Sequence, residues 1–562
     1  MTIETVAPTD TPAPTAAQTS TGRRRRGWAA VIVVLVIWSI QRAGVNLPDL
    51  INPRGWGQVR SFFAAMVRPD LSPDFVRLTV EETAVTLSYA LLGTALSVAI
   101  GILGGPLLSE RLWRPLAGEP TTRARWGWRL ARFTFAVPRS MHEVVFGLIL
   151  LNILGLDPLV AVLAIGVPFG AVTAKVFSEL IDEVPSDAER AMRAAGAGRL
   201  TAMIFGVVPT ALGDLLSYAF YRFECAIRSA AVLGIVGAGG LGFQLALSFQ
   251  SLRYDQMWTL LWALIAVGGM ADWWSSSVRR RRSDSGPDLS AGEGASHSLE
   301  RDPFLVTSAA GGALMIPVAW WWLDLSLSSL WSPRTRRLGA ELAGDAWPPQ
   351  VGPGGWRSLI ADAADTVALA MLALALAWTF ASALAFLAAR RKRVPGGPAL
   401  LPGRTLSWLS RFVLLIARSV PPPVWALLAV FVFLPGLWPG VVALAIYQFG
   451  VLGRLEGEVV ENLDDRPGRA LRAAGASRSG AIAYATLPAV STRFVALGLY
   501  RWEVTIRDTV IVGVVGAAGL GQRISEQTSS FDYQGILASI AVLVVLTVAA
   551  DIASAAIRRT LR

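Results

Sequence analysis

One cysteine, two histidines and two lysines are all that this 562-residue sequence contains of three reactive residue types. Cys225 has no partner cysteine, so an intrachain disulfide is excluded. His142, His297 and Cys225 are too few to build a Cys/His metal site within one chain. Neither lysine sits in a phosphate-binding loop, because Lys175 precedes Val176 and Lys392 precedes Arg393, where that loop needs Ser or Thr. Charge is scarce as well: charged residues make up 16% of the chain and hydrophobic ones 53%. A soluble protein of this length divides into domains with polar surfaces and does not reach that balance.

What is present in quantity is apolar sequence in runs near the ~20 residues that cross a bilayer as a helix. Such runs lie near 28–47, 77–103, 130–153, 158–180, 203–235 and 257–278, then near 304–323, 358–389, 406–434, 438–460, 482–514 and 535–557. The expected fold is an all-α polytopic membrane protein of about twelve spans, six in each half. The net charge of +11 does not point to nucleic acid. Its arginines fall in blocks beside apolar runs, as in Arg23 to Arg26, Arg279 to Arg282 and Arg390 to Arg393. That placement follows the excess of basic residues on the cytoplasmic side of membrane proteins. It puts both termini, the loop 104–129 and an Arg- then Ser/Gly/Asp-rich linker in the cytoplasm of a bacterial plasma-membrane protein. The expected organisation is a disordered tail at 1–27, a first half at 28–278, a linker at 279–303, a second half at 304–558 and a cytoplasmic C-terminus at 559–562.

The two halves repeat. Ala191-Met192-Arg193-Ala194-Ala195-Gly196-Ala197 returns as Ala470-Leu471-Arg472-Ala473-Ala474-Gly475-Ala476, and Tyr221-Arg222-Phe223-Glu224 returns as Tyr500-Arg501-Trp502-Glu503, each 279 residues later. Arg139-Ser140 and Arg418-Ser419, Arg228 and Arg507, and Pro209 and Pro488 keep the same interval. Each half has an even number of spans, so the copies are parallel repeats with a passage expected between them.

Four motifs carry chemistry. Ser186-Asp187-Ala188-Glu189 reads as a capping box opening a short cytoplasmic helix that stops at Gly196, and its copy stops at Gly475. Two small Ala-Ala-Gly faces at matched depth read as docking elements rather than ordinary loop helices. Glu224 and Arg228, like Glu503 and Arg507, are four apart and share a helix face. Charges within the bilayer must face protein or water. They serve either as structural ion pairs or, for the arginines, as an anion path, since guanidinium forks suit phosphoryl oxygens. Pro421 to Pro423 must break the span that carries Arg418 and Ser419, either as a plain kink or to expose backbone to a solute. Gly237-Ala238-Gly239-Gly240-Leu241-Gly242 matches a dinucleotide fingerprint in form only. It follows an apolar helix rather than a strand, and its copy at Gly516 lacks the middle glycine, so it reads as a close-packed, kinked outer segment.

The docking segments resemble the coupling helix of binding-protein-dependent ABC importer permeases, Glu-Ala-Ala, three variable residues, then Gly. They depart from it by carrying Arg193 or Arg472 before the alanine pair. Together with Ile227-Arg228-Ser229-Ala230, the glycine-rich run and Phe531-Asp532-Tyr533-Gln534, the chain closely resembles phosphonate-importer permeases, with two copies fused. The resemblance implies a type I ABC importer fold and a phosphorus oxyanion as cargo (phosphonate, phosphite or phosphate). It also implies two copies of an ATPase subunit that bind ATP and magnesium, and an extracytoplasmic solute-binding protein. No cofactor and no nucleic acid belong to this chain. The ATPase-coupling residues are then expected to be Glu189, Arg193, Ala195, Gly196, Arg199, Arg472, Ala474, Gly475 and Arg478. The expected pathway residues are Arg139, Ser140, Arg222, Glu224, Arg228, Arg418, Ser419, Arg501, Glu503 and Arg507. The copies are not identical: His142-Glu143 stands against Pro421-Pro422, and Ser229 against Asp508 beside Arg507. A permease for another solute such as an amino acid, and an intramembrane lipid-modifying enzyme using Glu143 or Asp272, are the alternatives.

Overall fold

Backbone amides in lipid have no water to bond to, so a chain this apolar satisfies them within helices. The computed structural model describes residues 16–44, 52–115, 121–283, 303–352, 354–389, 404–434 and 436–561, and the described residues form helices and no sheet. Residues 1–15 of the expected tail, most of the expected linker and the Arg390 to Arg393 block lie outside them. The first half comprises α1 (Ala16–Ala43), α2 (Trp56–Ala65), α3 (Pro73–Leu108), α4 (Thr122–Ser140), α5 (Glu143–Leu154), α6 (Leu159–Glu183), α7 (Asp187–Ala194), α8 (Arg199–Gly206), α9 (Val208–Leu233), α10 (Gly240–Gln250) and α11 (Tyr254–Ser283). The second comprises α12 (Pro303–Trp322), α13 (Pro333–Asp345), α14 (Gly355–Ala388), α15 (Arg404–Ser419), α16 (Pro422–Val432), α17 (Leu437–Glu461), α18 (Arg466–Ala473), α19 (Leu487–Gly513), α20 (Leu520–Ser529) and α21 (Tyr533–Leu561). Among the described residues six helices are long and apolar enough to cross a membrane alone, and three bent pairs do so together. The apolar runs at α1, α11 and α12 are helical too, which accounts for all twelve segments read from the sequence.

The bends fall where the repeat puts them. α15 and α16 meet at 91° across Val420-Pro421, and α4 and α5 meet at 82° across Met141-His142. Proline explains the first, since it cannot continue the hydrogen-bond ladder. The second has no proline at the break. There His142 acts as the N-cap of α5, its Nδ1 accepting from the Val144 amide at 3.2 Å.

Lipid tails are as apolar as leucine, so helices associate in a membrane through close packing of small residues. α3 lies along α6 in this way. A Cβ on Gly93, Gly101 or Gly105 would come within 2.8 Å of Ile165, Thr173 or Phe177, and a buried Ser97–Thr173 hydrogen bond of 2.9 Å lies between them. In the second half alanines take over, with Ala373, Ala377, Ala381 and Ala385 buried at four-residue spacing along α14, which packs on α17.

Two exchanges tie the halves together that the sequence does not announce. α1 packs on α14 of the opposite half, where Arg42 Nε donates to Asp365 at 2.6 Å. α12 in turn packs on α3, and Trp274 of α11 donates to Ser308 of α12 at 3.0 Å.

The glycine-rich runs make the tightest turns. After α9 the chain reverses through Gly237 (φ +118°) and Gly239 (φ +92°), so that α10 folds back against the end of α9. The Leu241 amide then finds the Thr86 hydroxyl of α3 at 2.9 Å, and the Leu520 amide finds Thr366 of α14 at 2.9 Å. A Cβ on Gly242 would stand 1.9 Å from the Ala231 carbonyl oxygen, whereas one on Gly311 would meet nothing within 4 Å. Gly242→Val should therefore destabilise the protein by about 1–3 kcal/mol, read as a lower thermal unfolding midpoint in detergent. Gly311→Val should leave the midpoint unchanged.

Candidate functional site

The two short helices between the long ones are alike in detail. α7 ends with Gly196 at φ +93°, the Ala197 amide donating to the Met192 carbonyl at 3.0 Å and the Gly196 amide to Arg193 at 3.1 Å. α18 ends with Gly475 at φ +91°, Ala476 donating to Leu471 at 3.0 Å and Gly475 to Arg472 at 3.1 Å. This six-to-one and five-to-two pattern closes a helix through a left-handed glycine. Ala191, Ala194, Ala195 and Gly196 are exposed, and so are Ala470, Ala473, Ala474 and Gly475. Both helices thus present a flat face of small residues without filling it themselves.

The start of α7 differs from the expected capping box. Ser186 makes no side-chain cap bond. Glu189 is instead buried beneath the helix, where it meets Arg111 at 3.1 Å and Arg193 at 3.3 Å. Two guanidiniums offer it more than one backbone amide would, because charge-assisted bonds are the stronger kind. The second copy has Gly468 at this position, and Arg472 donates to the Ala476 carbonyl at 2.9 Å. Arg199 opens α8 at the exposed end, and the side chain of Arg478 lies outside the described residues.

Deeper in the bundle the charged residues form two networks that cross between the halves. In one, Glu224 of α9 accepts on Oε1 from Arg228 at 3.5 Å, from Arg418 of α15 at 3.5 Å and from Arg454 of α17 at 3.1 Å. Asp272 of α11 is bound by Arg418 at 2.5 Å and by Arg454. In the other, Glu503 and Arg507 of α19 approach at 3.7 Å, and Asp551 of α21 meets Arg139 of α4 at 3.2 Å. Arg507 also donates to the Arg139 carbonyl at 2.9 Å, and Lys175 of α6 acts electrostatically on Asp551 and Glu503. Every member has its counterpart 279 residues away: Glu224 and Glu503, Arg228 and Arg507, Asp272 and Asp551, Arg418 and Arg139, Arg454 and Lys175. Each network takes two helices from one half and two from the other.

Between them lies a third, asymmetric chain of contacts. Arg501 donates to the Gln448 side-chain oxygen at 2.8 Å, and Gln448 donates to Asp508 at 2.9 Å. Asp508 faces His142 Nε2 at 3.6 Å, while His142 Nδ1 stands 3.3 Å from Glu143, which accepts from Ser229 at 2.5 Å. The counterpart of Arg501, Arg222, has Phe169 where Gln448 would be and stacks on that ring at 4.7 Å and on Tyr218 at 5.2 Å. Ser140 and Ser419 are buried at the two helix breaks, with Ser140 donating to the Ala136 carbonyl at 2.8 Å.

A family model described as the binding-protein-dependent transport system inner membrane component matches residues 116–282 and again 383–562. The chain belongs to that family. It carries the permease core twice, as a fused double permease, and is a membrane transport component rather than an enzyme, which sets aside the intramembrane lipid-modifying activity considered above. A phosphate-import permease protein from Mycolicibacterium smegmatis is 28% identical over 92% of this chain and 91% of its own length. A phosphite transport system permease protein from Stutzerimonas stutzeri is 32% identical over 39% of this chain and 76% of its own. A putative cryptic phosphonate transport system permease protein from Escherichia coli is 33% identical over 21% of this chain and 97% of its own. Among solved structures, the inward-facing methionine ABC transporter MetNI is similar at 23% identity, covering 37% of this chain and 99% of that one, with a TM-score of 0.33.

All ten expected pathway residues of the double permease are buried or half-buried, and the structure gathers seven of them into the two crossed networks and the central chain. Sequence reading did not single out Lys175, Arg454 or Gln448 and gave Asp272 no partner, although the structure places all four in these networks or the central chain. The signal was present, because Asp272 and Asp551 are 279 apart. The unequal partners of the two glutamates give a test. Glu224→Gln removes the negative charge that three guanidiniums share and should cost about 3–5 kcal/mol. Glu503→Gln, with one guanidinium at 3.7 Å, should cost less than half of that. Thermal unfolding of the two variants in detergent measures the difference.

Proposed function

We propose that this permease imports a small phosphorus oxyanion, phosphonate, phosphite or phosphate, through the bacterial plasma membrane. ATP is hydrolysed by two copies of a separate ATPase subunit, and an extracytoplasmic solute-binding protein delivers the cargo. The observation that carries this reading is a likeness over 92% of the chain to a protein named as a phosphate-import permease, joined by relatives named for phosphite and phosphonate. Permease halves at 28–278 and 304–558, a cytoplasmic linker between them and both termini in the cytoplasm complete the arrangement.

In this scheme α7 and α18 seat in grooves of the two ATPase subunits, their alanine and glycine faces allowing close backbone approach. Ala195, Gly196, Ala474 and Gly475 make the contact, and Glu189 with Arg193 and Arg111 holds α7 to the bundle. Closure of the ATPase pair moves these levers and re-partners the crossed networks, so the arginines exchange carboxylate oxygens for those of the passing anion. Arg222, Arg228, Arg501 and Arg507, with Arg139 and Arg418, supply the positive charge, and Ser140 and Ser419 sit at the helix breaks beside them. Asp508 weakens anion binding on its own side, which makes the passage asymmetric.

Two measurements test the scheme. Ala195→Trp with Ala474→Trp should prevent the ATPase from co-purifying while leaving the chain monodisperse, since both alanines are exposed. In the reconstituted complex, binding protein loaded with phosphate, phosphite or a phosphonate should stimulate ATP hydrolysis. Stimulation by an amino acid and by none of the three would overturn the cargo.

A further inference from the structure

The two crossed networks share their residue plan but not their packing. Around Asp272, Arg418 and Arg454 both bond the carboxylate directly, and a Cβ on Gly450 would stand 2.6 Å from the Arg418 amide nitrogen. Around Asp551 the counterpart of Arg454 is the shorter Lys175, and the counterpart of Gly450 is Ala171. A cavity of about 440 Å³ opens there between α4 and α6 of the first half and α21 of the second. It lies toward the end of α6 that leads into α7, and so at the end of the molecule that bears the levers.

The wall of this cavity is basic. Arg132, Arg139, Lys175, Arg558 and Arg559 line it, against Glu179 and Asp551. Asp551 is engaged by Arg139 at 3.2 Å, and Glu179 stands 3.8 Å from Lys175 as its (i, i+4) neighbour. Arg558 touches its own helix through Ser554 at 2.6 Å, and Arg132 stacks on the Trp128 ring at 4.6 Å. Five cations around two carboxylates leave an excess of positive charge in a partly enclosed space. Arg132 and Arg559 are exposed at its mouth, and Arg139 and Lys175 are half-buried within.

We propose that this cavity binds a phosphate group, held by the guanidiniums of Arg132, Arg558 and Arg559 at the mouth and by Lys175 within. Guanidinium forks match phosphate oxygens, and a basic pocket between membrane helices is the setting in which anionic headgroups are held. The phosphate belongs either to free inorganic phosphate or to the headgroup of an anionic lipid. The site sits at a seam of the two halves, and it stands on this geometry independently of the cargo. Its ligand would lie across α4 and α6 from the first half and α21 from the second, joining elements that must move relative to one another when the levers shift.

The test uses the full chain in detergent, with Arg132→Ala/Arg559→Ala as one variant and Lys175→Met as a second that keeps the side-chain stem. Retention of phosphatidylglycerol over phosphatidylcholine is read by native mass spectrometry, and binding of radiolabelled inorganic phosphate by equilibrium dialysis. Loss of phosphatidylglycerol retention by about tenfold in both variants assigns a lipid headgroup, and an equal loss of inorganic phosphate binding assigns the free anion, tenfold being 1.4 kcal/mol. Binding of neither probe above the level of a zwitterionic control, or unchanged binding in both variants, overturns the site. Should the double variant not fold, Lys175→Met alone decides. Either negative result leaves the cargo reading standing, because that reading is tested by ATP hydrolysis with loaded binding protein.

Discussion

A charge taken from water into the bilayer interior is stable only when another charge or a set of dipoles meets it, and this constraint organises the permease. Glu224 has almost no exposure and answers three guanidiniums, two of them from the opposite half. Asp272 of the first half is met by Arg418 and Arg454 of the second, and Asp551 of the second by Arg139 of the first. The halves are therefore joined by electrostatics at the seam as well as by the exchange of α1 and α12. A pair of this kind is weak evidence for stability, since an apolar seam could be as stable. What it adds is a set of discrete alternatives. In the proposed scheme, arginines that bond one carboxylate in one arrangement bond another, or a passing anion, in a second.

The levers and the networks occupy consecutive parts of the same helices. α6 carries Lys175 and leads within a few residues into α7, and α17 carries Arg454 and leads into α18. In the proposed scheme a displacement of either short helix is delivered along the helix before it to a charged residue at the seam. The asymmetry between the copies sits at the same places. Arg454 is replaced by Lys175, Gln448 by Phe169 and Asp508 by Ser229, so the two sides of the seam do not hold charge equally.

Much of this was legible because the chain states it twice. The twelve apolar runs, the glycine stops of α7 and α18 and the break before Pro422 follow from periodicity, from left-handed glycine and from proline, and all are local. The capping box at Ser186 was locally plausible and did not form, because Glu189 found Arg111, which lies 78 positions earlier in the chain. Asp272 entered the sequence reading only as an acid of the alternative enzyme, for the same reason. Its partners Arg418 and Arg454 lie in the other half, and no local spacing records that. The exchange of α1 and α12 was equally invisible, since an apolar helix does not specify which apolar groove receives it. Only the 279-residue interval, applied to every charged residue rather than to the motifs alone, would have assembled the networks from sequence.

The claim on which the rest depends is that Glu224 and Arg454 are coupled across the seam. A double-mutant cycle of Glu224→Gln and Arg454→Gln, followed by thermal unfolding of the detergent-solubilised chain, isolates that coupling. A coupling energy of about 1 kcal/mol or more is the result expected for a close, desolvated pair. Strictly additive losses would contradict the account, because they would leave the two halves without the shared charge that ties the levers to the passage.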